Sequence, residues 1–175
     1  MKIWRKKYRL KKSFLSFEKL FIPINVDNIH WILVVVKLEE KEISYLDSLR
    51  NKSNGGKYIK HVLMFLEDEF NSMNEDKYVQ FEPSQWKLQN VVDNPHQKDS
   101  NSCGVYVCVY ADLIPYNFFG YYTWDTVVQF RMQIAKSIIL QRHRCPPSSC
   151  QRTSLNDCKF ILHYILYCLL KFYCY

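Results

Sequence analysis

The chain has 175 residues, of which 48% are hydrophobic and 23% are charged, a balance typical of one globular domain. Its net charge of +7 comes from residues 1–12, which hold seven Lys or Arg and no acid, so that the remainder is formally neutral. This distribution argues against a basic nucleic-acid-binding domain, and the presence of only 4 glycines argues against a glycine-rich phosphate loop or barrel.

The basic arm, residues 1–12, has several interpretations. It can bind nucleic acid, an anionic membrane or an acidic protein, serve as a nuclear address, or form a solvated edge; the last two are favoured. No apolar segment of the length found in secretory signals follows it, so we expect no secretion signal.

The cysteines give no metal pattern. The 7 cysteines are Cys103, Cys108, Cys145, Cys150, Cys158, Cys168 and Cys174. No two are separated by two residues, and the spacings in the tail match no common zinc site. Reduced thiols are the default in the absence of a secretion signal. We therefore expect neither a metal ion nor a cofactor.

Three strand candidates come first along the chain. The segment 21–26 contains Pro23, which is typical of an edge strand or a strand start. The segment 31–36 is a continuous apolar run rich in β-branched residues, which suits a strand buried on both faces. The segment 42–46 is the third candidate.

Helical patterns follow. Apolar residues recur at helical spacing over residues 57–72, which predicts an amphipathic helix. A weaker strand is predicted over 86–92, and helices over 103–114 and 123–141. Strands that precede helices, with both buried, imply an α+β or α/β domain.

Cys103 stands at a junction between a polar run, residues 97–102, and an apolar run, residues 105–111. Asn101 or Ser102 can cap a helix whose first turn holds Cys103, where unpaired N–H groups and the helix dipole favour the thiolate. The alternative is a small hydrophobe entering a core. The junction alone favours that alternative, and only a partner base elsewhere reverses the preference.

A partner base is available in the strands. His30 begins the second predicted strand, and Asp47 follows the third. If a hairpin loop is centred between residues 38 and 39, His30 lies opposite Asp47, with Cβ atoms about 4.5–5.5 Å apart. A loop centred on Glu40 pairs His30 with Arg50 instead. A carboxylate on one imidazole nitrogen fixes the tautomer and leaves the other nitrogen as a base.

The candidate residues lie in a recognisable order. The motifs are His30-Trp31, then Asp47-Ser48, then Gln97-x5-Cys103-Gly104. Together with their flanking segments, over roughly residues 4–142, they resemble the Ulp/sentrin-specific cysteine proteases, which cleave small ubiquitin-like proteins. The resemblance implies an α+β, papain-like fold of the Ulp type, with a central mixed sheet flanked by helices.

The resemblance also implies roles for the residues. Cys103 would attack the carbonyl of the substrate's C-terminal glycine, and His30 would take the thiol proton and pass it to the leaving amine. Asp47 would orient His30. The side-chain amide of Gln97, with the Cys103 backbone N–H, would hold the oxyanion. Trp31 would pack over the thin Gly-Gly tail.

The chain departs from the family pattern in two ways. The family usually has Asp just before the nucleophile and Asn four residues before it, where this chain has Ser102 and Asp99. The resemblance further implies a catalytic domain over residues 1–144 that is partial at its N-terminus, without the upstream helical segment and its second Trp. Residues 145–175 form an unmatched tail, whose apolar stretch 160–170 is too short to span a bilayer.

These observations lead to one expected function and two alternatives. We expect a cysteine isopeptidase or processing endopeptidase that acts on SUMO-type modifiers. The alternatives are a catalytically impaired domain that still binds a modifier, and the same chemistry on NEDD8 or another ubiquitin-like protein. The expected partner is SUMO or a related modifier with its conjugates, without nucleic acid or a membrane span. We expect a monomer in the nucleus, with the cytoplasm as the alternative.

Overall fold

The structure is a computed structural model that describes residues 17–51, 54–73, 80–114 and 124–140. Its four strands are β1 (Lys19–Val26), β2 (His30–Lys37), β3 (Glu42–Leu46) and β4 (Lys87–Val91), and its helices are α1 (Gly55–Met73), α2 (Cys103–Leu113) and α3 (Trp124–Leu140). The strands form one mixed sheet in the order β1-β2-β3-β4. All seven predicted elements are present, with ends displaced by at most two residues.

The second strand is the most deeply buried part of the sheet. Every residue from Trp31 to Val36 is buried, as the continuous apolar run predicts for a strand covered on both faces. The β2–β3 connection is Leu38 to Lys41, so its centre falls between Glu39 and Glu40, one residue further along than the predicted hairpin centre. Lys41 has a positive φ of 49°, which this short turn requires.

The described residues divide into two compact units, of which one joins residues 17–22 and Val34–Tyr45 to residues 54–73 and 80–91. Helix α1 packs on β4 there through a close approach: a Cβ on Gly55 would lie 2.0 Å from Asn90 Oδ1, whereas a Cβ on Gly56 would meet nothing within 4 Å. The nearby atoms are the end of the exposed Asn90 side chain, so glycine at position 55 leaves room for that side chain beside the start of α1.

The second unit joins Pro23–Leu33 and Leu46–Asn51 to the described residues 92–114 and 124–140. Its centre is helix α2, which is buried almost all round, and α3 packs against it. A helix that is apolar on every side is typical of a buried core element. All five candidate site residues belong to this unit.

Some predictions fall on the remainder of the chain. The basic arm lies outside the described residues, as does the 145–175 tail, so the predicted division into a 1–144 domain and a tail stays a prediction. Within the described ranges, no helix is long and apolar enough to cross a membrane. The same ranges contain no group of three His, Cys, Asp or Glu residues that could hold a metal ion.

Candidate active site

His30 and Asp47 lie in direct contact. His30 Nε2 is 2.7 Å from Asp47 Oδ1, because His30 is the first residue of β2 and Asp47 follows the last residue of β3. The predicted pair therefore forms, although the loop between its strands is centred one residue later than the hairpin model assumes. Asp47 Oδ1 also accepts a hydrogen bond from the Leu49 N–H at 2.8 Å, which fixes the carboxylate.

The second nitrogen of the imidazole faces the thiol. Since Nε2 is engaged by Asp47, Nδ1 is the nitrogen available to hydrogen-bond the Cys103 side chain. The Asp47 hydrogen bond, followed by the one to Cys103, raises the pKa of His30 to about 9, although burial opposes this change. His30 is therefore an imidazolium at neutral pH.

The thiol of Cys103 responds in the opposite sense. Burial alone would raise its pKa, but hydrogen bonds from the His30 side chain and from the Trp31 and Gly104 backbone outweigh burial and lower it. Thiolate and imidazolium thus stabilise each other. Both pKa shifts favour transfer of the thiol proton from Cys103 to His30, the transfer that the sequence predicts. Cys103, His30 and Asp47 therefore form one continuous hydrogen-bonded set of side chains.

Trp31 contributes in a way that the sequence does not reveal. Its backbone N–H donates to Cys103, so the first two residues of β2 both bind the thiol. Its side chain is buried, with 7% of the residue exposed. The predicted packing of this ring over a Gly-Gly tail stays a prediction.

Gln97 is held at both ends of its amide. Its Oε1 accepts a hydrogen bond from Ser48 Oγ at 2.6 Å, and its Nε2 donates to the Asp99 carbonyl at 2.7 Å. A further bond runs from the Gln97 backbone N–H to the Ser48 carbonyl at 3.0 Å. Because an amide nitrogen carries two hydrogens, one N–H stays available for an oxyanion.

Two further residues, Ser48 and Asn94, support the site although the sequence assigned neither of them a role. Ser48 orients Gln97 while its neighbour Asp47 orients His30, so one dipeptide supports both groups; the adjacency of the two residues is the only clue. Asn94 is buried and its Nδ2 donates to the Asp47 carbonyl at 3.1 Å and to Tyr110 Oη at 2.7 Å. It ties the Asp47 backbone to helix α2.

The predicted helix cap is only half right. Ser102 occupies the N-cap position of α2, but its side chain makes no capping hydrogen bond. Its hydroxyl donates instead to Asp99 Oδ2 at 2.6 Å, because the chain folds back on itself before the helix. The first-turn N–H of Gly104 is directed to the Cys103 thiol.

Comparison with known proteins identifies the family. A model of the Ulp1 protease family, C-terminal catalytic domain, matches residues 1–144. The chain belongs to this family. Ubiquitin-like-specific protease 1A of Arabidopsis thaliana is 29% identical over 136 residues, 78% of this chain. Ubiquitin-like-specific protease 1 of Saccharomyces cerevisiae is 34% identical over 106 residues, 61% of this chain.

The matches cover a limited part of these relatives. The chain spans 26% of the length of the Arabidopsis protein and 16% of that of the yeast protein. Among solved structures, the Ulp1 SUMO protease with its catalytic cysteine oxidised to a sulfenic acid aligns over 78% of this chain and 59% of its own, at 24% identity and a TM-score of 0.65. The predicted Ulp-type α+β fold is thereby confirmed.

Proposed function

We propose that this chain is the catalytic part of a cysteine protease that cleaves after the C-terminal Gly-Gly of a SUMO-like modifier. The observation that carries the proposal is the imidazole of His30, which hydrogen-bonds both Asp47 and the Cys103 thiol. A binding module has no need of a thiolate–imidazolium pair with an orienting carboxylate. Membership of a protease family supports the same conclusion.

The proposed acylation starts from the Cys103 thiolate and the His30 imidazolium, the two forms that the pKa shifts favour. The Cys103 thiolate attacks the carbonyl carbon of the terminal glycine, and the carbonyl oxygen becomes an oxyanion that accepts from the free Gln97 N–H and the Cys103 N–H. The imidazolium of His30 gives its Nδ1 proton to the leaving amine. The C–N bond breaks and a thioester remains on Cys103.

Deacylation reverses the role of the imidazole. Neutral His30 takes a proton from water, and the hydroxide attacks the thioester carbon. The C–S bond breaks, the modifier leaves as a carboxylic acid that releases its proton to solvent, and the thiolate–imidazolium pair is restored. Asp47 keeps Nε2 as a donor throughout, so Nδ1 faces the reacting atoms in both half-reactions.

The small exposed fraction of Cys103 favours a substrate whose C-terminal tail is thin. Only 4% of Cys103 is exposed, so a segment without side chains reaches the sulfur more easily than an ordinary peptide. Two relatives are named as acting on ubiquitin-like proteins, and a solved Ulp1 protease domain is bound to Smt3, the yeast ortholog of SUMO. We extend this modifier class to the present chain, which we propose acts as a monomer in the nucleus.

The proposal is tested with modifiers that carry a thiol-reactive group at the C-terminus. SUMO, NEDD8 and ubiquitin probes are incubated with the chain, and adducts are located by mass spectrometry after digestion. We expect a SUMO adduct on Cys103 and none with a Cys103→Ala variant. An adduct with NEDD8 or ubiquitin alone would reassign the modifier, and binding of SUMO without any adduct would favour an impaired binding domain.

A further inference from the structure

The turn between Gln97 and Cys103 has no regular secondary structure, yet the two residues at its ends are the proposed oxyanion donor and nucleophile. Inside the turn, the Asp99 carboxylate accepts from the Ser102 N–H at 3.2 Å and from the Ser102 hydroxyl at 2.6 Å. The Asp99 carbonyl accepts from Gln97 Nε2. The Asp99 carbonyl, together with the Ser48 hydroxyl at the other end of the amide, therefore sets the direction of the Gln97 side chain.

A third residue anchors this turn from another helix. Arg131 on α3 donates through Nη2 to Ser102 Oγ at 2.8 Å. The Ser102 hydroxyl thus accepts from a cation and donates to a carboxylate, and it bridges the two charges while only 2% of the residue is exposed. Hydrogen bonds that involve ionised groups are the strong ones in proteins.

We propose that Asp99, Ser102 and Arg131 are positioning residues for the reaction, acting through Gln97. This Asp99–Ser102–Arg131 relay holds the turn so that the free Gln97 N–H and the Cys103 sulfur keep a fixed separation. The inference rests on the proposed function, and it concerns residues that touch neither the substrate nor the reacting atoms. It also explains how the turn is held with Ser102 and Asp99 at positions where the family usually has Asp and Asn.

The first test is a double-mutant cycle with steady-state kinetics on a SUMO conjugate, with rates normalised to active sites titrated by the probe. Ser102→Ala should lower kcat about tenfold with little change in KM, since misplacing a group costs less than losing an oxyanion donor outright. In a Gln97→Ala background the same change should cost less than about twofold. An undiminished tenfold loss in that background would overturn the relay.

The matched control lies in the same turn. Ser100 is exposed and its hydroxyl donates to Asn101 Oδ1, so Ser100→Ala removes an identical group without touching the relay. We expect Ser100→Ala to keep the wild-type kcat. A Ser102→Ala variant that also keeps the wild-type kcat would refute the proposal.

A rescue experiment tests the charge arrangement. Moving the carboxylate by combining Asp99→Asn with Ser102→Asp keeps the net charge and lets a carboxylate at position 102 accept directly from Arg131. The double variant should recover most of the activity that either single variant loses. Additive losses would show that the bridge between positions 99 and 131 is not what matters.

A readout without turnover separates this inference from the proposed function. The side-chain NH₂ of Gln97 gives ¹⁵N NMR signals whose hydrogen exchange should be slow in the wild type and faster in Ser102→Ala. Unchanged exchange would refute the relay even if no modifier were cleaved. Failure of every probe to label Cys103, with exchange still altered, would refute the proposed function alone.

Discussion

The first turn and the middle of helix α2 each carry a cysteine, and the two thiols are shifted in opposite directions. Cys103 and Cys108 are both buried, with 4% and 1% exposed. Cys103 has a lowered pKa because three hydrogen-bond donors oppose burial. Burial, with the nearby charge of Asp112, raises the pKa of Cys108 to about 12.

The comparison shows that donors, and not exposure, determine which thiol ionises. The start of a helix has backbone N–H groups without intrahelical partners, whereas its middle has none to offer. The strand that carries His30 and Trp31 adds two further donors to Cys103 alone. The same residue type is therefore the proposed nucleophile at one end of α2 and a small core hydrophobe five positions later.

The largest expected effect is on thiol reactivity. At pH 7 only about one molecule in 10⁵ has Cys108 as thiolate, given its pKa of about 12. A thiol whose pKa is lowered from 9.0 is more than about 1% ionised at pH 7, so iodoacetamide should alkylate Cys103 at least about 10³-fold faster than Cys108. Time-resolved peptide mass spectrometry of the native chain measures both rates. Comparable labelling rates at Cys103 and Cys108 would show that the two thiols do not differ in reactivity.

Removal of the imidazole should be next in size. His30→Ala deletes the donor to the thiolate and the acid for the leaving amine, so kcat should fall by roughly 10³–10⁴, with modifier binding nearly unchanged. Asp47→Asn should cost less but still orders of magnitude, because it disturbs the tautomer and leaves the ring in place. Single-turnover rates measure the loss of catalysis in each variant, and a binding assay with unreactive modifier measures the affinity. Substantial activity in His30→Ala would require another base, with His96 the first candidate.

Removal of the proposed oxyanion donor should have a smaller effect, confined to kcat. Gln97→Ala removes an N–H that meets negative charge only in the transition state, so kcat should fall about 10²–10³-fold with little change in KM. Steady-state kinetics on a SUMO conjugate give both constants. A change confined to KM would mean that Gln97 binds the ground state and that another group holds the oxyanion.

How much of this arrangement could be predicted depends on the kind of signal. Strand β2 and the helices follow from apolar periodicity, which the sequence displays directly. His30 and Asp47 follow from strand ends, although the loop centre differs by one residue because turn length is not encoded in an apolar pattern. The predicted capping hydrogen bond of Ser102 is absent, and nothing in the sequence indicated the contacts of Asn94 and Arg131. Such contacts join side chains that are distant in sequence, and they depend on the path of the irregular backbone.

The pH dependence of activity should show both shifted groups. The reactive form needs a Cys103 thiolate, which is present above the lowered pKa of that thiol, and a His30 imidazolium, which is lost as pH rises through about 9. The rate should thus rise with pH as the thiol ionises, and it should fall about tenfold by pH 10 as the imidazolium is lost. In Asp47→Asn the alkaline limb should move to lower pH, because the largest cause of the raised His30 pKa is removed. An alkaline limb near 6.5 in the wild type would contradict the ion pair.

The smallest expected effect is on the free energy of unfolding, and it comes from substitution of Cys108, which should leave the activity unchanged. Cys108→Ser places a hydroxyl where the residue is 1% exposed, and a buried hydroxyl without a partner should lower the free energy of unfolding by about 1–3 kcal/mol. Cys108→Ala is the control that removes the sulfur without adding a polar group, and it should cost no more than the serine variant. Urea unfolding followed by circular dichroism measures both, and kcat per folded molecule should match the wild type in each. A Cys108→Ser variant as stable as the wild type, or one with a lower kcat per folded molecule, would show that the middle of α2 is not the inert core that its raised thiol pKa indicates.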